Sequence, residues 1–168
     1  MPILAAILLG LAVLSAGWSA GFFWSWSFTV MPGLSAAAPL TAVEAMRAAN
    51  AGIRTAFFAF VFFGPLPLAL AAGAAQVALG ARQRAGAAGA AAVVYGLGVI
   101  LVTVLFNLPL NDSLAQAQVT ATNAAETWAG YAGPWTAWNH LRVAASTATM
   151  LLLVLAVALG RGGRPGAG

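Results

Sequence analysis

The sequence has no cysteine, no lysine and a single histidine, His140. Without cysteine the chain forms no disulfide, thiolate metal site or iron–sulfur cluster. One histidine is too few for a two-histidine haem site or a three-histidine zinc or copper site within one chain. We therefore predict no cofactor. The composition is still compatible with a bound haem, or with a metal ion held by oxygen ligands together with the one imidazole.

Charge is also scarce, at 6% of 168 residues, whereas hydrophobic residues make up 62% and the mean hydropathy is +0.92. Soluble domains carry roughly a quarter charged residues. The composition therefore predicts an integral membrane protein, with the lipid bilayer as its first partner. The formal net charge of +4 is small and indicates a topology signal rather than a nucleic-acid-binding surface.

Four stretches are long and apolar enough to cross a bilayer, which takes roughly 20 residues each. They are, approximately, residues 3–30, 53–79, 85–108 and 135–159. We predict an all-α fold, a polytopic membrane four-helix bundle over residues 1–160, followed by a flexible cytoplasmic tail, residues 161–168. A homo-oligomer is compatible with this prediction.

The arginines predict the orientation, because positively charged loops stay in the cytoplasm. Four arginines without acidic neighbours lie in the short second connection and the tail, namely Arg82, Arg84, Arg161 and Arg164. The opposite side carries three arginines and three acids, which cancel: Arg47, Arg54, Arg142, Glu44, Asp112 and Glu126. We therefore predict both termini in the cytoplasm and a location in the plasma or inner membrane.

Both outer connections are predicted to be structured and to contain short helices. Thr41-Ala-Val-Glu44 and Asn123-Ala-Ala-Glu126 match the capping-box pattern that opens a helix. Gly133-Pro134 is expected to break the chain before the fourth span. Gly64-Pro-Leu-Pro67 predicts a kink inside the second span, because two helix amides are missing there.

Polar and aromatic residues gather at the outer helix ends, where intramembrane ionisable groups indicate function. Structural roles remain open for several of them. Asn111 or Asp112 would cap a helix after Pro109. Arg47 would pair with Glu44 at a spacing of three. Trp135 and Trp138 would form an interfacial aromatic belt, the phenylalanines of residues 57–63 would be lipid-facing or belt residues, and His140 would be a buried histidine with one acceptor.

Four segments carry a resemblance to a known family, in matching order along nearly the whole chain. They are Gly21-Phe-Phe-Trp-Ser-Trp-Ser-Phe-Thr-Val-Met31-Pro-Gly-Leu34, Met46-Arg-Ala-Ala-Asn50, Asn107-Leu-Pro-Leu-Asn111 and Trp135-x-x-Trp138-Asn139-His140-x-Arg142. The sequence resembles the anthrone oxygenase-like family of small four-helix membrane proteins. The resemblance implies oxygenation of a lipophilic polyaromatic phenol such as an anthrone, with dioxygen as co-substrate and no evident prosthetic group.

The implied chemistry needs a base, oxyanion donors and a dry aromatic slot. We expect His140 to be the base, with Asp112 orienting or replacing it. Oxygen atoms would be bound by Asn107, Asn111, Asn139 and Arg142. The aromatic rings would be held by Trp138, Trp135, Tyr131, Trp26 and Phe22, with Arg54 and Asn50 completing the substrate-binding set.

Two other classes stay open. His140, Asp112 and Glu44 could form a mixed nitrogen–oxygen metal site in a metal-dependent membrane oxidoreductase. The chain could also be a non-enzymatic membrane protein that binds a lipophile, transports a solute or serves as an assembly subunit. Transport is the less favoured of these, because the charges lie at helix ends and no repeat is evident.

Overall fold

The computed structural model describes residues 2–53 and 55–160, and this part of the chain is helical, with no strand. The predicted tail and Arg54 lie outside the described residues. The helices are α1 (Pro2–Ala36), α2 (Pro39–Gly52), α3 (Ala56–Phe63), α4 (Pro65–Ala78), α5 (Arg82–Gln116) and α6 (Ala124–Ala158).

Three of these helices, α1, α5 and α6, are long and apolar enough to cross a membrane. Each has 35 residues, and the mean hydropathy of its most apolar stretch is 2.0 or higher. The pair α3 and α4 would form a fourth crossing element, bent by 51° at its break. These long apolar helices indicate a membrane protein.

The helices pack in a closed order, in which α1 contacts α6 and α4, and α5 contacts α4 and α6. Their shared core at one end consists mainly of alanines, together with Leu9 and Leu153. Small side chains let the helix backbones come close, as expected for helices packed in lipid. One such close approach is at Gly98 of α5, where a Cβ would collide with Ala145 of α6.

The predicted kink in the second apolar stretch is confirmed. The chain bends between α3 and α4 at the Gly64-Pro-Leu-Pro67 segment. The Tyr95 hydroxyl donates a 2.7 Å hydrogen bond to the Phe62 carbonyl beside the bend, and it also lies 2.7 Å from the Ser19 hydroxyl. All three groups are buried, so one tyrosine satisfies polar atoms that lipid could not.

The first predicted helix start, at Thr41, is wrong. The helix α2 begins two residues earlier, at Pro39, and no side chain caps it. Proline suits the first helical position because its missing amide hydrogen would be unpaired there anyway. The helix ends at Gly52, and Thr55 caps α3 instead by accepting a 3.1 Å bond from the Phe58 amide.

The second outer connection contains no separate short helix among the described residues. Asn123 stands at the N-cap position of α6, but its side chain binds the Thr120 amide and the Gln118 carbonyl rather than the helix. The expected break at Gly133-Pro134 is wrong, because α6 continues through it. Proline removes a single helix hydrogen bond, and the packing of α6 on three neighbouring helices outweighs that loss.

Replacing Tyr95 with Phe should lower the free energy of unfolding by about 1–3 kcal/mol, because the Phe62 carbonyl and the Ser19 hydroxyl would be left buried without their partner. The measurement is reversible unfolding of the detergent-solubilised protein. Ser19→Ala is the matched control, since Tyr95 keeps its bond to Phe62, and it should cost clearly less. Equal losses from both variants would contradict this account.

Candidate functional site

A cavity of about 400 Å³ lies among α1, α2, α3, α5 and α6, within the range of about 300–1,000 Å³ typical of small-molecule sites. Most of its lining is apolar and aromatic. The full lining is Phe22, Phe23, Trp26, Arg47, Asn50, Ala51, Ile53, Phe58, Phe62, Phe63, Ile100, Thr103, Val104, Asn107, Leu108, Asn111, Asp112, Ala115, Trp135 and Arg142.

Arg142 reaches this cavity from α6 and is only 5% exposed. Its guanidinium lies 4.7 Å from the ring centre of Phe23 and 5.2 Å from that of Trp135. Nη1 donates a 3.2 Å hydrogen bond to the Thr103 hydroxyl, whereas the buried Nε atom has no partner within the described residues. Such a charge is costly in an apolar setting unless an anion or another acceptor meets it.

Asn107 supplies an unpaired acceptor to the same cavity. Its side-chain amide donates a 3.2 Å bond to the Trp135 carbonyl, and its Oδ1 atom is buried without a partner in the described chain. Asn107 and Thr103 belong to a π-helical stretch of α5, Thr103–Asn107. Short π-helical stretches frequently occur at functional sites. Two residues that line the cavity thus carry buried polar atoms without partners in the described chain, a donor on Arg142 and an acceptor on Asn107.

Asn111 is oriented by two neighbours on α6. Its Oδ1 atom accepts bonds from the Tyr131 hydroxyl at 2.8 Å and from Trp135 Nε1 at 2.9 Å. Because both lone-pair positions of that oxygen are used, the amide NH₂ is the group left for a ligand. The alternative prediction that Asn111 or Asp112 caps a helix is wrong, since α5 runs on from Arg82 to Gln116.

Asp112 lines the cavity but is itself exposed, so its carboxylate lies at the opening. Arg47 lies nearby and fixes the end of α5. Its guanidinium donates to the Leu114 carbonyl at 2.9 and 2.7 Å and to the Ala117 carbonyl at 2.6 Å. The alternative pairing of Arg47 with Glu44 is not formed, because these backbone carbonyls occupy the guanidinium instead.

His140 does not join the predicted cluster. It is exposed on another face of α6 and stacks on Phe28, with ring centres 5.1 Å apart. Residues two positions apart on a helix point in directions about 200° apart, so Arg142 points into the cavity while His140 points away from it. The alternative of a satisfied, buried histidine is also wrong.

Asn139 and Trp138 lie outside the cavity lining as well. Asn139 is buried and joins α6 to α1 by donating to the Phe23 carbonyl at 2.8 Å and to the Ser27 hydroxyl at 2.7 Å. Trp138 is half-buried and stacks on Phe106, with ring centres 3.6 Å apart. These contacts use the Trp138 ring and the Asn139 amide nitrogen, whereas Asn139 Oδ1 is buried without a partner in the described chain.

The remaining predicted binding residues also divide into residues that line the cavity and residues that do not. The cavity is lined by Trp135, Trp26, Phe22 and Asn50. Tyr131 is not part of the lining but contacts two residues that are, Asn111 through a hydrogen bond and Trp135 through its ring. Arg54 is outside the described residues. The structure therefore brings together Arg142, Asn107, Asn111 and Asp112 with these four, and separates them from His140, Asn139 and Trp138.

The alternative metal site is not assembled. Within residues 2–53 and 55–160, no three His, Cys, Asp or Glu side chains come close enough to hold an ion. His140, Asp112 and Glu44 are all exposed, and only Asp112 lines the cavity.

Some of the lining residues were not predicted to be part of the site from the sequence, above all Thr103, Arg47 and Phe23. A signal existed for Thr103: it precedes Asn107 by four residues and Asn111 by eight, which is a polar stripe within an apolar helix. Phe58, Phe62 and Phe63 line the cavity, whereas Phe57 and Phe60 pack on Trp18 instead. Sequence spacing alone could not separate these two sets.

Comparison with known proteins gives one family. The family model described as "Anthrone oxygenase" matches residues 53–152, which is 100 of the 168 residues and contains α3, α4, α5 and most of α6. No curated protein and no solved structure matches the chain. The matched region supplies Asn107, Asn111, Asp112 and Arg142, and its extent shows that the chain belongs to the anthrone oxygenase family.

Proposed function

We propose that the protein is a membrane-embedded oxygenase that converts a flat, lipophilic polyaromatic phenol of the anthrone type to the quinone. The observation that carries this proposal is Arg142, a buried guanidinium without a carboxylate partner, facing an aromatic cavity of about 400 Å³. A planar aromatic ring with an anionic oxygen matches both properties. The family supports the reaction class.

The reaction balances with dioxygen alone. A base removes one proton from the CH₂ carbon between the two aromatic rings, and the resulting anion carries its charge largely on the ketone oxygen. The carbon then bonds to dioxygen, giving a hydroperoxide. Loss of the second C–H proton with cleavage of the O–O bond leaves the quinone carbonyl, and the other oxygen atom departs as water.

Arg142 would stabilise the charge that develops on the ketone oxygen. Its neighbours Phe23 and Trp135 keep water away, which strengthens the interaction. The NH₂ group of Asn111 offers a second donor, and Asn107 Oδ1 offers an acceptor for a phenolic hydroxyl or for the hydroperoxide proton. These groups are held by hydrogen bonds before a ligand arrives, which is the arrangement that stabilises a transition state.

We assign the base to Asp112 rather than to His140. The Asp112 carboxylate lies at the cavity opening, where it can receive a proton from the ligand and release it to water. His140 stacks on Phe28 outside the cavity and has no route to the ligand. The sequence analysis gave Asp112 two possible roles, orienting His140 or replacing it as the base, and this assignment adopts the second role.

We further propose a four-helix membrane bundle with both termini in the cytoplasm of a plasma or inner membrane. The positive Arg82 and Arg84 in the first turn of α5 support this orientation. Arg84 also donates a 3.0 Å bond to the Ala156 carbonyl at the end of α6, as cations near helix C-termini commonly do. The cavity would then lie in the outer half of the membrane.

Arg142→Gln should lower the rate of oxygen uptake with anthrone about 10²–10³-fold, because the developing oxyanion loses its main donor. The unfolding temperature should not fall, since the substitution removes a buried charge that no acid compensates. Both quantities can be measured on protein purified in detergent. An unchanged rate in folded protein would contradict the proposal. Binding of anthrone by the parent protein without oxygen uptake would favour a non-enzymatic lipophile-binding protein.

The base assignment predicts different outcomes for Asp112 and His140. Asp112→Asn should reduce turnover about 10²–10⁴-fold, the usual contribution of a positioned base. His140→Gln is the matched control and should stay within a few-fold of the parent. The reverse pattern of losses would restore histidine as the base.

A further inference from the structure

The bend between α3 and α4 leaves one side of the cavity facing the lipid. Below the bend, α4 packs closely on α5, whereas α3 packs on α1 and α4 and meets α5 at the bend, where the Tyr95 hydroxyl binds the Phe62 carbonyl. Three cavity-lining side chains are also largely exposed: Phe63 of α3 (58%), and Val104 (53%) and Leu108 (46%) of α5. The cavity wall between α3 and α5 is therefore also the membrane-facing surface.

A row of aromatic rings leads inward from this side. The Phe63 ring lies edge-on to Phe62 at 4.8 Å between centres, and Phe62 lies edge-on to Phe23 at 6.3 Å. Phe23 in turn lies beneath the Arg142 guanidinium at 4.7 Å. An apolar path thus connects the lipid-facing surface with the charged group.

The outer end of the same opening differs in character, because Asp112 and Ala115 continue the face of α5 that carries Val104 and Leu108. Its exposed lining residues are Asp112, Ala115 and Ala51, at the ends of α5 and α2. A carboxylate at this end suits the exchange of protons with water. It does not suit the passage of a flat hydrocarbon, which would have to leave the bilayer and cross water first.

We propose that the gap between α3 and α5, bordered by Phe63, Val104 and Leu108, is a lateral portal. A polycyclic aromatic ligand reaches the cavity through it from the outer half of the bilayer. The proposal rests on the proposed function, because it takes the occupant of the cavity to be a lipophilic aromatic molecule. The chemical class that passes is an uncharged, planar, membrane-dissolved ring system, and the ring acquires its charge only beside Arg142.

The test uses the full chain reconstituted in lipid vesicles and 9,10-anthraquinone as a non-reacting probe. Trp26 and Trp135 line the cavity, so saturable quenching of tryptophan fluorescence reports binding. Phe63→Ala widens the proposed portal, and Val104→Phe narrows it. The matched controls are Phe57→Ala and Val93→Phe, at exposed positions of 68% and 60% that do not line the cavity.

Phe63→Ala should raise both the association and the dissociation rate about fivefold or more, with the dissociation constant changed by less than about twofold, because a portal alters both rates alike. Val104→Phe should slow both rates by a similar factor. Both controls should match the parent.

Two results would overturn the proposal, and they are distinct. Saturable quenching with rates unchanged in Phe63→Ala and Val104→Phe would refute the portal and leave the proposed function standing. The absence of saturable quenching in the parent protein would refute both, because the cavity would then not hold a polycyclic ring.

Discussion

The arrangement of the site depends on one costly feature, a guanidinium buried in an apolar cavity without an acid beside it. Arg142 is held by a hydroxyl and two aromatic faces, which satisfy its charge only in part. A buried charge of this kind destabilises the fold unless a ligand completes it. Under the proposed function, the missing partner is the anionic oxygen of a substrate. Arg142 would then stabilise the negative charge of the transition state.

The fold accommodates this feature by departing from regular helix geometry around it. The chain bends by 51° after α3, beside the cavity, and the π-helical stretch Thr103–Asn107 supplies two polar side chains to the cavity lining. Below the bend, alanine-rich helix faces pack closely. One half of the molecule therefore provides stability, and the other half provides the cavity.

The sequence predicted the features that depend on composition and local chemistry. Four apolar stretches, the kink at Gly64-Pro-Leu-Pro67 and the polar residues Asn107, Asn111 and Arg142 all follow from hydropathy or from the cost of polar groups in lipid. The sequence did not predict the features that depend on helix phase or on packing between residues far apart in the chain. His140 and Arg142 differ by two positions, and only their placement against α1 and α5 shows which one faces the cavity. The helix through Pro134 likewise depends on packing that local signals do not contain.

The central claim, that Arg142 holds the anionic oxygen of a polycyclic phenol, can be tested by absorption spectroscopy of bound anthrone without oxygen. The parent protein should shift the ligand to its ionised form at a pH where the free ligand is neutral, because the guanidinium lowers the pKa of the bound ligand. The shift should disappear in Arg142→Gln. A bound ligand that keeps its neutral spectrum in the parent, or ionises equally in both proteins, would contradict the account.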